Sequence, residues 1–188
     1  DVLDDGLARL LRAAGAHTIT LGVDGLSERL RGLIEKQVTR DHVARAAELA
    51  RAHGFDGLRL YQIAGLPGED DVDLAEARAD LSELARRTRL HCNVSFLVPK
   101  RGTPLEAAPR RSVRELERLS ERVRRALAPV VDLRLDSPRQ AWLERVLSLG
   151  DASTGRRVVA AVAEGHASGA ALTRALRDDP AARDDTLH

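Results

Sequence analysis

An α/β fold built from parallel strands is the class this sequence predicts, and three observations predict it. Short β-branched or apolar runs alternate with longer helical runs, the alternation occurs three times, and each strand hands over to its helix through a turn rich in Gly, Pro or Asp. Three βα units in series need crossovers, and right-handed crossovers leave two architectures, a barrel segment or an open doubly wound sheet.

The elements read as follows. Residues 3–14 carry the apolar series Leu7, Leu10, Leu11, Ala14 behind Asp4-Asp5 and predict a helix stopped by Gly15. His17 to Leu21 predicts a strand, ended by the turn residues Gly22 to Gly25. Ser27 is placed to cap a short helix through about Lys36, and Thr39 opens a second helix that Gly54 stops. Leu58 to Ala64 predicts a strand, Gly65 to Glu69 a turn, and Asp71 to Thr88 a helix. Leu90 to Val98 is extended, 99–109 is a loop, and Ser112 with Glu115 forms a capping-box pattern before a helix to Leu127. After Pro129 comes a weak strand, Val130 to Leu135, then helices over Pro138–Leu149, Thr154–Gly165 and Gly169–Arg177 and a polar tail expected to fray. Two domains follow: 1–129, and a helical extension over 130–188.

Composition narrows the function classes. The 188 residues are 43% apolar and 31% charged, with a net charge of +1, so a globular domain is expected. Interleaved charges of both signs create no field that attracts nucleic acid or a membrane surface. No apolar run approaches the ~20 residues of a membrane span, and the expected location is cytoplasmic. One cysteine, Cys92, allows no internal disulfide and no Cys-rich metal site. The six histidines show no HxxxH or HxH spacing, so no metal ligands are predicted. There is no methionine and residue 1 is Asp, so the chain is expected to be a piece excised from a longer protein.

In parallel α/β folds ligands sit at the carboxyl ends of the strands. The first such loop, Gly22 to Arg29, offers Asp24 to a ribose diol or amino group and Ser27 at a helix N-terminus, though both residues equally suit a turn and a cap. The second, Gly65-Leu66-Pro67-Gly68-Glu69, lets a flat ligand approach the backbone at Gly65, with Ile63 as an apolar neighbour that otherwise fills a core. Val98 leads into the third, where Lys100 and Arg101 form a cationic rim for a carboxylate or phosphate, or stay solvated. Trp142 reads as a packing anchor, and Cys92 as a small buried apolar residue.

Five segments together carry a resemblance. Thr20 to Arg31 is similar to the TLxxExGSERLR stretch of radical S-adenosylmethionine enzymes, and Ile34-Glu35-Lys36 before Thr39 to INKGIT. Leu58 to Glu69 resembles LKLYFMIGLPxE; Val94 to Lys100 with Thr103-Pro104-Leu105 resembles VSxFVPKPxTPF; Leu143 to Asp151 resembles LEAVLSRGDRR. The best match is to the group that usually carries an N-terminal cobalamin-binding domain. The resemblance implies a barrel of six βα units of which this chain holds the last three, a partial (β/α) barrel followed by a small C-terminal helical extension. It further implies cofactor contacts at Asp24, Ser27, Ile63, Gly65 and Val98, with S-adenosylmethionine and a 4Fe-4S cluster as cofactors and cobalamin in a domain elsewhere. The cluster's CxxxCxxC loop is not in this chain, and Cys92 does not replace it, so the isolated chain is expected to be inactive and its partner to be the N-terminal half of the barrel. Two departures stand out: Asp24 replaces the family's Glu, and Leu26 replaces a Gly whose φ, if positive, Leu would strain. The alternative is a non-catalytic barrel remnant that acts as an interaction or oligomerisation domain through open sheet edges. An aldolase or isomerase ranks below both, because no strand ends in a lysine or carboxylate pair suited to it.

Overall fold

A computed structural model describes residues 3–183, and the elements run α1 (Asp5–Ala13), β1 (Thr18–Gly25), α2 (Glu28–Leu33), α3 (Arg40–Ala52), β2 (Gly57–Ala64), α4 (Asp71–Arg87), β3 (Leu90–Phe96), α5 (Val113–Leu127), β4 (Asp132–Leu135), α6 (Pro138–Leu149), α7 (Ala152–Ala163) and α8 (Gly169–Ala175), closed by a 3₁₀ turn at Pro180–Ala182. The four strands form one parallel sheet in the order β1-β2-β3-β4. Strand order follows chain order without reversal. A doubly wound sheet reverses at its switch point, so the winding here is that of a barrel segment.

Strand periodicity explains which face is covered. On β2, Leu58, Leu60, Gln62 and Ala64 are buried while Arg59 and Tyr61 are exposed and Ile63 is half-buried. On β3, Leu90, Cys92, Val94 and Phe96 are buried, and His91, Asn93 and Ser95 are half-buried. One face is therefore packed, against Val43, Ala46, Ala47 and Ala50 of α3 and Leu74, Ala77, Leu81 and Leu84 of α4. The other face is polar and open, as the lumen side of an incomplete barrel must be. Burying a leucine is worth about 2 kcal/mol, and these rows supply the main hold on the sheet.

Two compact units emerge among the described residues: 3–95 with 121–135, and 96–120 with 136–183. In the second, the Trp142 ring is buried with the Arg145 guanidinium 5.9 Å from its centre. Arg145 donates to the carbonyls of Ala181, Ala182 and Arg183 at 3.0 to 3.3 Å. The tail expected to fray is thus anchored as far as Arg183, and Ala181 and Ala182 are buried; residues 184–188 lie outside the described part. Charge-assisted bonds from a buried arginine override a polar composition.

Local boundaries shift for similar reasons. β1 extends through Gly25, four residues past the predicted strand end at Leu21, because Gly22, Asp24 and Gly25 still pair with Tyr61, Gln62 and Ile63. α7 begins at Ala152, since the Asp151 carboxylate accepts from the N–H groups of Ser153 and Thr154 and takes the capping role. The Ser112–Glu115 capping box is present.

Candidate functional site

The carboxyl end of β1 carries an irregularity. The register with β2 slips between Gly22 and Asp24, leaving Val23 as the extra residue of a bulge, and Asp24 adopts φ 63°. Aspartate tolerates this left-handed conformation better than most residues. The strain expected at Leu26 does not occur: the positive φ falls on Asp24, and Leu26 is a core residue, 1% exposed. Bulges re-aim side chains, and this one leaves the Asp24 carboxylate part-exposed, 2.8 Å from Lys36 Nζ.

Ser27 behaves differently. Its hydroxyl is wholly buried, donates to Asp73 Oδ1 and accepts from Leu30 N at 3.2 Å. With its proton and one lone pair engaged, the Ser27 hydroxyl holds the loop in place. Asp73 is the centre of that arrangement, at 2% exposure, receiving also Arg29 Nη2 at 2.5 Å and Asp70 N at 3.0 Å. Burial opposes ionisation of Asp73, yet the bonds from Arg29 and Ser27 outweigh it and hold the carboxyl below its ordinary range. Arg29 additionally donates to Gly68 O at 2.8 Å, fastening the first loop to the second.

On β2, Ile63 pairs in register with Gly25, and Gly65 follows the strand with φ 90°, its N–H donating to Glu69 Oε2 at 2.7 Å. Neighbouring strand ends therefore bring together Asp24, Ile63 and Gly65. They form a patch with an anionic group, an apolar half-buried side chain and glycine backbone. Val98 is half-buried two residues beyond β3, in the second unit. The basic pair expected at the rim is occupied: Lys100 Nζ lies 3.2 Å from Glu144 Oε1, and Arg101 Nε donates at 3.0 Å to Leu149 O, the carbonyl end of α6.

Strand alternation in the sequence marks both faces of the sheet. Arg59, Tyr61 and Ile63 alternate with Leu58, Leu60 and Gln62, which marks the open face as well as the buried one. Lys36 as partner of Asp24 left no such mark, because it lies twelve residues on and past a helix.

Cys92 is fully buried, donates to Gln62 Oε1 at 3.3 Å, and its thiol is pushed up to about 12 by burial. Alkylation by iodoacetamide at pH 8 is accordingly expected only after unfolding in urea; labelling of the native chain at the unfolded rate would contradict this burial. Among the described residues no group of three or more His, Cys, Asp or Glu is arranged to hold a metal, so they offer no ligand set for an iron–sulfur cluster. No helix among them is long and apolar enough to cross a membrane.

Comparison with known proteins gives a family. Residues 1–81 match the model of the Radical SAM superfamily. The chain is 32% identical over 107 residues to an uncharacterized protein of Methanocaldococcus jannaschii, covering 56% of this chain and 23% of that one. It is 31% identical over 134 residues to the heme chaperone HemW of Mycobacterium tuberculosis, covering 71% and 33%. It is 33% identical over 147 residues to biotin synthase 2 of Frankia casuarinae, covering 76% and 38%. The chain thus spans between 23% and 38% of the length of these relatives.

Proposed function

From the membership of residues 1–81 in the Radical SAM superfamily, we propose that this chain supplies the nucleoside- and methionine-binding part of a barrel enzyme that cleaves S-adenosylmethionine reductively. The observation that carries the reading is the strand-end patch: Asp24 in a left-handed conformation beside Ile63 and Gly65. The patch fits the cofactor's nucleoside. The Asp24 carboxylate accepts from a ribose diol, Ile63 lies against an adenine face, and Gly65, lacking a Cβ, lets the ring come close to the backbone; the family resemblance implies a further contact at Val98. Lys36 orients the Asp24 carboxylate, and the pinned Ser27–Asp73–Arg29 network fixes the loop so that binding orders few side chains. The chemistry such a cofactor supplies is reductive cleavage to a carbon radical, driven by a 4Fe-4S cluster whose ligands belong to another segment; this chain's share is position and exclusion of water. Cobalamin, by the same reading, sits in a separate domain. The cytoplasm suits a cluster that needs reducing conditions.

The reading is tested by equilibrium binding of S-adenosylmethionine to the full-length parent. Losing one charge-assisted hydrogen bond costs about 1.5 kcal/mol, so Asp24→Ala is expected to weaken binding about tenfold. Unchanged affinity removes Asp24 from the site.

A second reading, an interaction domain, is favoured by one observation. β1 is an edge strand, and on α1 Leu10 is 67% exposed with Leu7 and Leu11 at 36% and 37%. Unpaired strand edges and apolar side chains recruit other chains. Under the first reading the recruit is the N-terminal half of the same barrel. Size-exclusion chromatography separates the two: a full-length parent that stays monomeric supports barrel closure, and self-association of the parent supports the interaction domain.

A further inference from the structure

The covered side of the sheet in the first unit holds a cavity of about 380 Å³, within the range of small-molecule sites. It is lined by α3 and α4 above Leu60 and Gln62 of β2, on the face opposite Ile63 and Tyr61. Most of the deep lining is apolar, with Leu26, Leu60, Leu81 and Leu84. One cation breaks that pattern. Arg31 lines the cavity yet is 3% exposed, and its Nε has no hydrogen-bond partner among the described residues.

The remaining bonds of Arg31 do not complete it. Nη1 donates to Gly25 O at 3.3 Å, and Nη2 lies 3.8 Å from Glu28 Oε2, beyond hydrogen-bond reach. The other arginines of the lining are matched: Arg40 bonds Asp80, Arg87 bonds Glu83, and Arg45 lies 3.5 Å from Glu48. A guanidinium stays charged when buried, and a buried charge without full pairing is costly. The cavity therefore has apolar walls, three arginines paired with carboxylates, the Asp41 carboxylate in its lining, and one buried cation, Arg31, whose Nε is unpaired.

We propose that this cavity binds a small amphipathic carboxylate, its apolar body against Leu60, Leu81 and Leu84 and its head on Arg31. A carboxylate matches the guanidinium fork. The site is separate from the strand-end patch and does not depend on the S-adenosylmethionine reading.

The test is a titration of the chain with hexanoate, followed by methyl chemical shifts. Saturable changes are expected at Val23, Leu60 and Leu84, with hexanamide, the same shape without the charge, binding about tenfold more weakly. Arg31→Gln is expected to erase the preference for hexanoate. Ala44→Trp, at a half-buried position of the lining on α3, is expected to block both probes with Arg31 intact. Absence of saturable change at those methyls in the folded chain overturns the proposal, as does equal binding of the two probes. Should Arg31→Gln fail to fold, the two-probe comparison on the unaltered chain and on Ala44→Trp still decides.

Discussion

Asp73→Ala is expected to lower the unfolding free energy by about 3 kcal/mol, read as a fall in the urea midpoint at pH 7 with an unchanged slope. The ion pair with Arg29 is a minor part of this, since the Arg29 side chain is 55% exposed and exposed pairs contribute about 1 kcal/mol or less. The larger part comes from inside. Ser27 Oγ keeps its proton in a fully buried place with its acceptor gone, and Asp70 N loses the partner that closes the capping box of α4. A loss under 1 kcal/mol would mean that the loops of β1 and β2 are not joined through Asp73. The pH dependence has a definite sign. The Asp73 carboxyl is held below its ordinary range, burial notwithstanding, by Arg29 and Ser27. A depressed carboxyl stabilises the fold fully above its unfolded value of about 3.9 and loses that contribution as pH falls through the folded value. The stability gap between the unaltered chain and Asp73→Asn is therefore widest near neutrality and narrows below about pH 4.

The sequence marks Asp24 as a candidate and leaves Asp73 unmarked, and the difference follows from the range of the interactions. Asp24 lies at a strand end, a place that parallel α/β architecture makes functional in advance, and its motif surrounds it. Asp73 is the third residue of a helix whose cap alone would explain an acidic residue. Its partner Ser27 is separated by 46 residues and by a strand and two helices, a distance no periodicity spans. The strands themselves were legible because alternation is local: Leu58-Arg59-Leu60-Tyr61 states both its buried and its open face. The length of β1 was not, because Gly22 and Gly25 read as turn residues until pairing with β2 holds them extended. The anchored tail shows the same limit. Ala181 and Ala182 are buried by an arginine on α6 that nothing near them in the chain announces. Arg31 illustrates it a third time, as a charged residue in a charged motif whose burial only the fold reveals.

Gly25→Ala tests whether the loop geometry and cofactor binding are one property. A Cβ built on Gly25 would lie 2.7 Å from Arg31 N and 2.9 Å from Leu30 C, both backbone atoms of α2 that cannot turn aside as a side chain can. α2 has little room to retreat: Leu30 is fully buried and Ser27, its cap, is tied to Asp73. The expected cost is about 3 kcal/mol, at the upper end for overpacking. The displacement falls on the residue after Asp24 and on the pairing of Gly25 with Ile63, so S-adenosylmethionine affinity in the parent is expected to fall at least as far as in Asp24→Ala. The two variants then separate cleanly. Asp24→Ala removes a part-exposed carboxylate and weakens binding with stability changed by less than about 1 kcal/mol; Gly25→Ala loses both. Coupling supplies the sharper check. If the clash is resisted because Ser27 pins α2, then in a Ser27→Ala background the added cost of Gly25→Ala shrinks by about 1 kcal/mol or more, as expected of neighbours sharing one constraint. Strict additivity in that cycle would mean that α2 is held by Leu30 and the core alone, with the buried serine a bystander to the loop it caps.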